Sequence, residues 1–588
     1  MTMERPTCPL LVLAMAAITS SWQLAPVAAE HPKPPVEYRV HRHTAPAWTA
    51  QETDRGFVVS SDHWMRPMFD VFVPTRAHVV EELSCELARN EYESIQVGVH
   101  ALRDLTAIKM TVELDLPFKA YRFLTQNRSL TISSAPAEGQ LLLKQEQPVK
   151  MPYYLFPEPQ HREAAKGKTV GFWITVQAPT DAATGQHMGV VRIAAGRQEA
   201  VVPFRVTVRP FTLPKPKIAY ATYFQPNSRI PKAYQGPRYE RMYYEDMAAH
   251  GMNSLEICKP QDRPYLRWLT LEGQFDEAKM AEHFKMMHEA GLLDGTQPVT
   301  LLWGKWDWVS KQRPETIRHI VKELERIRKK YKLPRIDQFY YNEPSGSAHE
   351  EGIKLMKPWI EAGWGFYSSI TSPPAVEALG PYHTAIHVHA FSMDNRLKGL
   401  IEEAGCEFWT YECASNGYEP AWGRCYAGLF SWNAGVKGNY VWAYTHADWG
   451  ERDRYIIEPD GSVTVNVWGR TKAVPGERGP IPTIYWEARR EGVDDYRYLQ
   501  LVQEEADRAD SNPKIVQEVS DWLGSLRGLV DWETIAGRFK LLVPENNDFD
   551  VMDFFDPYPQ VTPEKYDQVR RQAADFVVRL NEHRAPDE

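Results

Sequence analysis

The sequence predicts a multi-domain chain: an N-terminal β-sandwich, a (β/α)8 TIM-like barrel and a C-terminal helical segment. Three observations predict it. From about residue 50 to 210, apolar and polar side chains alternate with a period of two; from about 218, strand and helix patterns take turns; from about 488, apolar residues recur every three or four positions. A chain of 588 residues also exceeds what one hydrophobic core serves, so several domains are expected.

The N-terminus reads as an export signal. "LLVLAMAAI" (10–18) is apolar but too short to span a bilayer, and "PVAAE" (26–30) offers small residues for cleavage after Ala29. Residues 1–29 are therefore expected to be a signal peptide, placing the mature protein outside the cell or in the periplasm. "EHPKPPVEY" opens an extended linker, 30–50. Cys8 precedes the apolar run, so it is not placed to carry a lipid anchor. No other segment is long and apolar enough to span a membrane, so no integral membrane segment is expected after signal removal.

Residues 51–213 form the expected sandwich. "TVGFWITV" (169–176) puts Val170, Phe172, Ile174 and Val176 on one face, "VVPFRVTV" (201–208) does the same with Val202, Phe204, Val206 and Val208, and "SIQVGVHA" (94–101) alternates likewise. Turn-rich stretches such as "PTDAATG" (179–185) separate them, and "PFTLPKPK" (210–217) is a Pro-rich joint to the next domain.

The barrel is assigned to 214–500. "IAYATYF" (218–224), "MNSLEIC" (252–258), "PVTLLWG" (298–304) and "QFYYNEPSG" (338–346) are its first four strands; "WGFYSSI" (364–370), "AIHVHAFS" (385–392), "CEFWTYEC" (406–413) and "GNYVWAYTH" (438–446) are the other four. Helices separate the early strands. "YERMYYEDMAAHG" and "DEAKMAEHFKMMHEAG" each close on a glycine, and "PETIRHIVKELERIRKKY" aligns Ile317, Ile320, Val321, Leu324 and Ile327 on one stripe. In the tail, 501–588, "NPKIVQEVSDWLGSLRGLV" (512–530) and "TPEKYDQVRRQAADFVVRLNEH" (562–583) read as helices packed on the barrel, the second started by Thr562-Pro563.

Composition narrows the function. The formal charge of -9 argues against a nucleic-acid binder that relies on a global positive field. Without Cys8, five cysteines remain: Cys85, Cys258, Cys406, Cys413 and Cys425. That odd number, with no CxxC, fits neither a disulfide scaffold nor a structural zinc cluster. No metal or other cofactor is implied. Nineteen Trp and 28 Tyr supply rings that can line a sugar cleft as well as a core.

In a barrel of this type the C-terminal strand ends build the active site. The fourth strand ends on Asn342-Glu343-Pro344, and a Glu framed by Tyr340 and Tyr341 is suited to carry a proton to a leaving group. Glu412, at the end of the seventh strand, is the candidate partner: two carboxylates facing each other across the mouth would serve a retaining glycosidase. Strand alternation sets the condition. Glu412 shares a face with Thr410 and Phe408, so if Tyr411 points into the barrel, Glu412 faces the helices. His387 and His389 share a strand face and could bind a metal, as in amidohydrolase-type barrels. There, however, the pair sits on the first strand, so core or substrate-binding roles fit better here. Tyr341, Trp303, Trp409, Tyr411, Trp442, His389, His446 and Asp448 are the candidate carbohydrate-binding residues; Trp306 and Trp308 lie near the same strand ends.

Several stretches resemble glycoside hydrolase family 123, the β-N-acetylgalactosaminidases, and related proteins sharing that catalytic domain. "LARNEYESIQVGV" (87–99) and "FWITVQAPTDAATGQHMGVVRI" (172–193) resemble its N-terminal sandwich. "YYNEPSG" (340–346), "FWTYEC" (408–413) and, most specifically, "PTIYWEARREGVDDYRYLQL" (482–501) resemble its barrel and closing helix. The resemblance covers roughly 80–500 and implies a substrate-assisted mechanism: a Glu at the fourth strand tip donates the proton, and a preceding Asp orients the substrate's 2-acetamido group as nucleophile. Glu343 matches the Glu, but Asn342 stands where Asp is expected. An Asn before the acid/base instead resembles the two-Glu retaining barrel glycosidases, in which it binds a 2-hydroxyl. The joint presence of Asn342-Glu343 and Glu412 tilts the expectation to that two-Glu arrangement. The expected function is an exported glycoside hydrolase acting on an oligo- or polysaccharide. The alternatives are a catalytically silent carbohydrate-binding protein and a metal-dependent barrel hydrolase.

Overall fold

Strands between Phe57 and Thr212 make two five-stranded sheets. The computed structural model describes residues 44–133, 144–224, 230, 232–258, 276–302, 313–342, 348–412, 420–445, 456–457, 463–464, 471–508, 512–533 and 561–582. In chain order the strands are β1 (Phe57–Ser60), β2 (Leu83–Arg89), β3 (Glu91–Ala101), β4 (Leu105–Glu113) and β5 (Phe118–Ser133), then β6 (Lys144–Phe156), β7 (Gln160–Ala164), β8 (Thr169–Ala178), β9 (Gly185–Ala195) and β10 (Gln198–Thr212). One sheet has the order β1-β3-β8-β5-β6 and the other β2-β10-β9-β4-β7. The period-two pattern is the cause. Phe172, Ile174 and Val176 of β8, Val97 and Val99 of β3, and Phe204, Val206 and Val208 of β10 share one hydrophobic cluster. Burying each such side chain contributes ~1.5–3 kcal/mol. Between β2 and β3 the chain reverses at Asn90, in the left-handed region with φ 61, which Asn tolerates better than most residues.

All eight expected barrel strands are present: β11 (Ala219–Phe224), β12 (Glu256–Cys258), β13 (Val299–Leu302), β14 (Ile336–Asn342), β15 (Gly365–Ser369), β16 (Ala385–His389), β17 (Glu407–Glu412) and β18 (Gly438–Val441). They close into a parallel barrel in which β11 pairs with β18, Ala219 opposite Gly438. The inner face is filled by size complementarity. Ala219, Ala221 and Ala385 leave room for Tyr223, Tyr367, Trp409, Tyr411 and Tyr440. Trp409 stacks on Tyr440 at 5.4 Å between centroids, and a Cβ on Gly438 would lie 2.6 Å from the Trp409 ring, so only Gly fits there. Outside lie α1 (Pro237–Ala249), α2 (Glu277–Glu289), α3 (Pro314–Tyr331) and α4 (Ala348–Glu361). The stripe expected of α3 is the one buried.

After the last barrel strand, the described residues form α5 (Ile484–Ala506), α6 (Pro513–Leu529) and α7 (Pro563–Glu582). The boundary expected at 500/501 falls inside α5, a single helix capped by Thr483 and buried along nearly all its length. Ion pairs to several of its charges offset the cost of that burial. Arg490 bonds Glu487 at 2.7 Å, Arg424 bonds Asp495 at 2.7 Å, and the Glu491 carboxylate accepts from Ser94 of β3 at 2.9 Å. From α7, Arg570 reaches Glu93, Glu491 and Asp495 at 2.6, 2.9 and 2.8 Å. Arg497 donates to the Pro214 carbonyl at 2.7 Å, tying the Pro-rich joint to α5. The helix that reads as merely amphipathic in sequence is thus the ionic clamp between sheets, barrel and tail. A clamp of this kind fixes geometry more than it adds stability, because desolvation offsets much of the attraction.

Candidate active site

The C-terminal face of the barrel starts from β14, whose pairing with β15 is irregular. Phe339 lies opposite Tyr367, and the next pair is Asn342 opposite Ser369. Two residues of β14, Tyr340 and Tyr341, thus stand against one of β15, Ser368, the signature of a β-bulge, a device that re-aims side chains next to active sites. Tyr341 lies within the irregular stretch and Asn342 ends the strand. Glu343, the candidate acid, follows immediately and lies outside the described residues, as do Trp303, Trp306, Trp308, His446 and Asp448.

Under the mouth, the structure brings together four of the expected binding residues. Trp409 and Tyr411 belong to the inner cluster, with Trp442 packed against it. His389, half-buried at the end of β16, stands edge-on to Tyr411 at 5.1 Å. Trp442, also half-buried, follows β18 and lies 4.9 Å from Tyr223. Tyr223 was not among the expected site residues. The alternation of "AYATY" carries the signal: small residues on the inner face, then a ring at the strand tip.

His387 lies deeper, fully buried among Tyr367, Trp409 and Tyr440 at 4.9, 5.0 and 4.4 Å, with Nδ1 3.2 Å from the Tyr223 hydroxyl. Burial pushes its pKa down to about 3, so the ring is neutral at ordinary pH. Beside it the Tyr367 hydroxyl donates to the buried Glu256. His387 and His389 share a face but not a setting: one is packed among rings, the other half-exposed at the rim. Among the described residues no group of three His, Cys, Asp or Glu is arranged to hold a metal ion.

Glu412 does not enter the barrel. Tyr411 takes the inner position, and alternation turns Glu412 outward, where it is fully buried against the start of α5. The Tyr485 hydroxyl donates to its Oε1 at 2.6 Å. Lys472 Nζ sits 3.6 Å away, also fully buried and 4.1 Å from the centre of the Tyr485 ring. The expected arrangement of two carboxylates facing across the mouth therefore fails at Glu412, which is held behind the wall instead. Lys472 lies between the last strand and α5, and no pattern in the sequence marked it.

No protein-family model matches the chain. No curated protein matches it either. Among solved structures, a family 123 glycoside hydrolase from Clostridium perfringens, described for glycolipid glycan hydrolysis, aligns with TM-score 0.61 and 10% identity over 89% of this chain and 99% of its own. The chain therefore shares the fold of a family 123 glycoside hydrolase, as the sequence resemblance implied. β-Glucuronidase 3 from Bacteroides uniformis aligns at TM-score 0.28 and 8% identity, over 70% of this chain and 51% of its own. Xylanase 10B from Thermotoga maritima aligns at TM-score 0.30 and 12% identity, over 48% of this chain and 96% of its own. Scores this low carry no weight for function.

Proposed function

We propose that the protein is an exported glycoside hydrolase that cleaves glycosidic bonds in an oligo- or polysaccharide, with Glu343 as general acid/base. The observation that carries this reading is the placement of Asn342 at the end of the fourth strand of a barrel whose fold matches a family 123 glycoside hydrolase along nearly the whole chain. Glu343 is the next residue in the sequence, and barrels of this type hold their chemistry at the C-terminal strand ends. The ring-lined floor of Tyr223, His389, Tyr411 and Trp442 suits a sugar face, and nothing in the proposed chemistry calls for a cofactor. In domain terms we read 51–213 as a β-sandwich, 214–500 as the catalytic barrel and 501–588 as its helical support, with 1–29 removed on export. Intact-mass measurement of exported material should show a mature start near Glu30.

The outward position of Glu412 supports a substrate-assisted route over a two-Glu one. Glu343 protonates the departing oxygen while the oxygen of the substrate's 2-acetamido group attacks the anomeric carbon. The C–O bond breaks as the cyclic oxazolinium forms, and water, deprotonated by Glu343, later opens it. Asn342 can orient the acetamido group by hydrogen bonding but cannot neutralise its positive charge as a carboxylate would. That deficit is the specific observation behind a second reading, a catalytically silent carbohydrate-binding protein. One experiment separates them. A panel of aryl glycosides and glycans is digested by the parent and by Glu343→Gln, and released sugar and its initial anomeric form are followed. The hydrolase reading expects turnover that falls ~10²–10⁴-fold in the variant. Equal turnover by both proteins removes Glu343 from the role, and binding without turnover by the parent selects the silent reading.

A further inference from the structure

A hydrogen bond crosses the barrel interior beneath the mouth. Tyr223, on β11, reaches His387, on β16, with its hydroxyl 3.2 Å from Nδ1, although β17 and β18 stand between the two strands on the short way round. The Tyr223 side chain therefore lies across the floor rather than along its own wall. Its ring meets Tyr440 edge-on at 5.8 Å and Trp442 at 4.9 Å, tilted by 58°. Backbone bonds hold the chain around Trp442: its N–H donates to the Glu412 carbonyl at 2.9 Å, and the Tyr444 N–H donates to the Tyr223 carbonyl at 3.0 Å. The angle of the Trp442 ring is left to what packs against it, and Tyr223 packs against it.

Packing alone does not account for a histidine at 387. The ring is fully buried, with Tyr367, Trp409 and Tyr440 at 4.9, 5.0 and 4.4 Å. A phenylalanine would meet the same rings with no polar atom to desolvate. The imidazole brings two nitrogens, and Nε2 has no hydrogen-bond partner among the described residues, which costs folding free energy. What the histidine gains over an apolar ring is the bond between Nδ1 and Tyr223. Either tautomer makes it, since the hydroxyl can donate or accept. Burial keeps the ring neutral down to about pH 3, so the bond does not switch over the ordinary pH range.

We propose that His387 is a positioning residue for carbohydrate: through Tyr223 it fixes the half-buried ring of Trp442 as the platform on which a sugar stacks. The class of ligand rests on the glycosidase reading, and His387 itself makes no contact with the substrate. The probes are the p-nitrophenyl β-glycosides of N-acetylgalactosamine, N-acetylglucosamine, galactose and glucose. KM and kcat are measured where a probe turns over, and Kd is measured by calorimetry on the full chain carrying Glu343→Gln, which spares the probe. His387→Phe should raise KM and Kd of the best-bound probe about fivefold, the worth of one net hydrogen bond, with the loss falling on KM rather than kcat. Tyr223→Phe should do the same, and the two together should be no worse than either, because both remove one bond. In a Trp442→Ala background, where the platform is already gone, His387→Phe should change Kd by less than about twofold. Thermal melts check folding, and Tyr223→Phe with and without Trp442→Ala decides the question if His387→Phe does not fold. Parental Kd in both single variants overturns the proposal, and so does a loss confined to kcat. A fivefold loss that persists without Trp442 also overturns it, since His387 would then act by another route, as does failure of all four probes to bind. Binding without turnover fails the hydrolase reading alone, because the comparison of Kd values still stands.

Discussion

Replacing Glu412 by Gln distinguishes a buried structural carboxylate from a nucleophile. Glu412 and Lys472 are both fully buried, 3.6 Å apart, and the Tyr485 hydroxyl donates to the carboxylate at 2.6 Å. The amide retains an acceptor for Tyr485 but removes the charge facing Lys472. Removing one side of a buried ion pair costs ~3–5 kcal/mol. The retained hydrogen bond puts the expectation near the lower bound, ~3 kcal/mol, which at ~2.1 cal/mol/K per residue over a barrel of roughly 290 residues is a fall in Tm of about 5 °C. Glu412→Gln with Lys472→Met should recover most of that loss, because removing both charges of a buried pair is often neutral. Differential scanning calorimetry reads the stability, and aryl glycoside hydrolysis is measured well below the lowered Tm. Turnover per folded molecule should stay within a few-fold of the parent. Loss of a nucleophile would cost on the order of 10⁴–10⁶. A variant with the parental Tm and turnover reduced by that factor would refute the structural assignment of Glu412.

Asn342→Asp should raise turnover of N-acetylated aryl glycosides by about tenfold or more, since a carboxylate would face the developing oxazolinium charge; steady-state kinetics that show no gain argue against substrate assistance. Arg570→Leu should destabilise the chain by ~3–5 kcal/mol, because the guanidinium answers Glu93, Glu491 and Asp495 at once and its loss leaves buried carboxylates facing each other. A urea midpoint equal to that of the parent would contradict this. His387 has its folded pKa depressed to about 3 by burial, against ~6.5 when unfolded. Its contribution is therefore complete above ~6.5 and is lost as pH falls toward 3, about 2 kcal/mol by pH 5. The difference in urea stability between pH 7 and pH 5 should shrink by that amount in His387→Phe; an unchanged difference would show that His387 does not set it.

The sequence alone determined the order of elements, because local periodicity is a local property. Period-two runs such as "TVGFWITV" can bury one face only as strands, and the eight apolar runs after Pro214 alternate with helical stripes. It also placed Asn342 at a strand tip and stated the condition on Glu412, since alternation allows Tyr411 or Glu412 into the barrel, never both. Only the tertiary structure decided which. The small Ala219 and Ala221 across the inner face make room for Tyr411, and Tyr485 and Lys472 wait outside for the carboxylate, from positions 73 and 60 residues further along the chain. The bulge between Phe339 and Asn342 was equally hidden, because a register shift is a property of two strands and leaves no mark on one. The same holds for the α5 clamp. Its charges gain their partners from Arg424, Arg570 and Ser94, brought from three separate elements that no local pattern links to it.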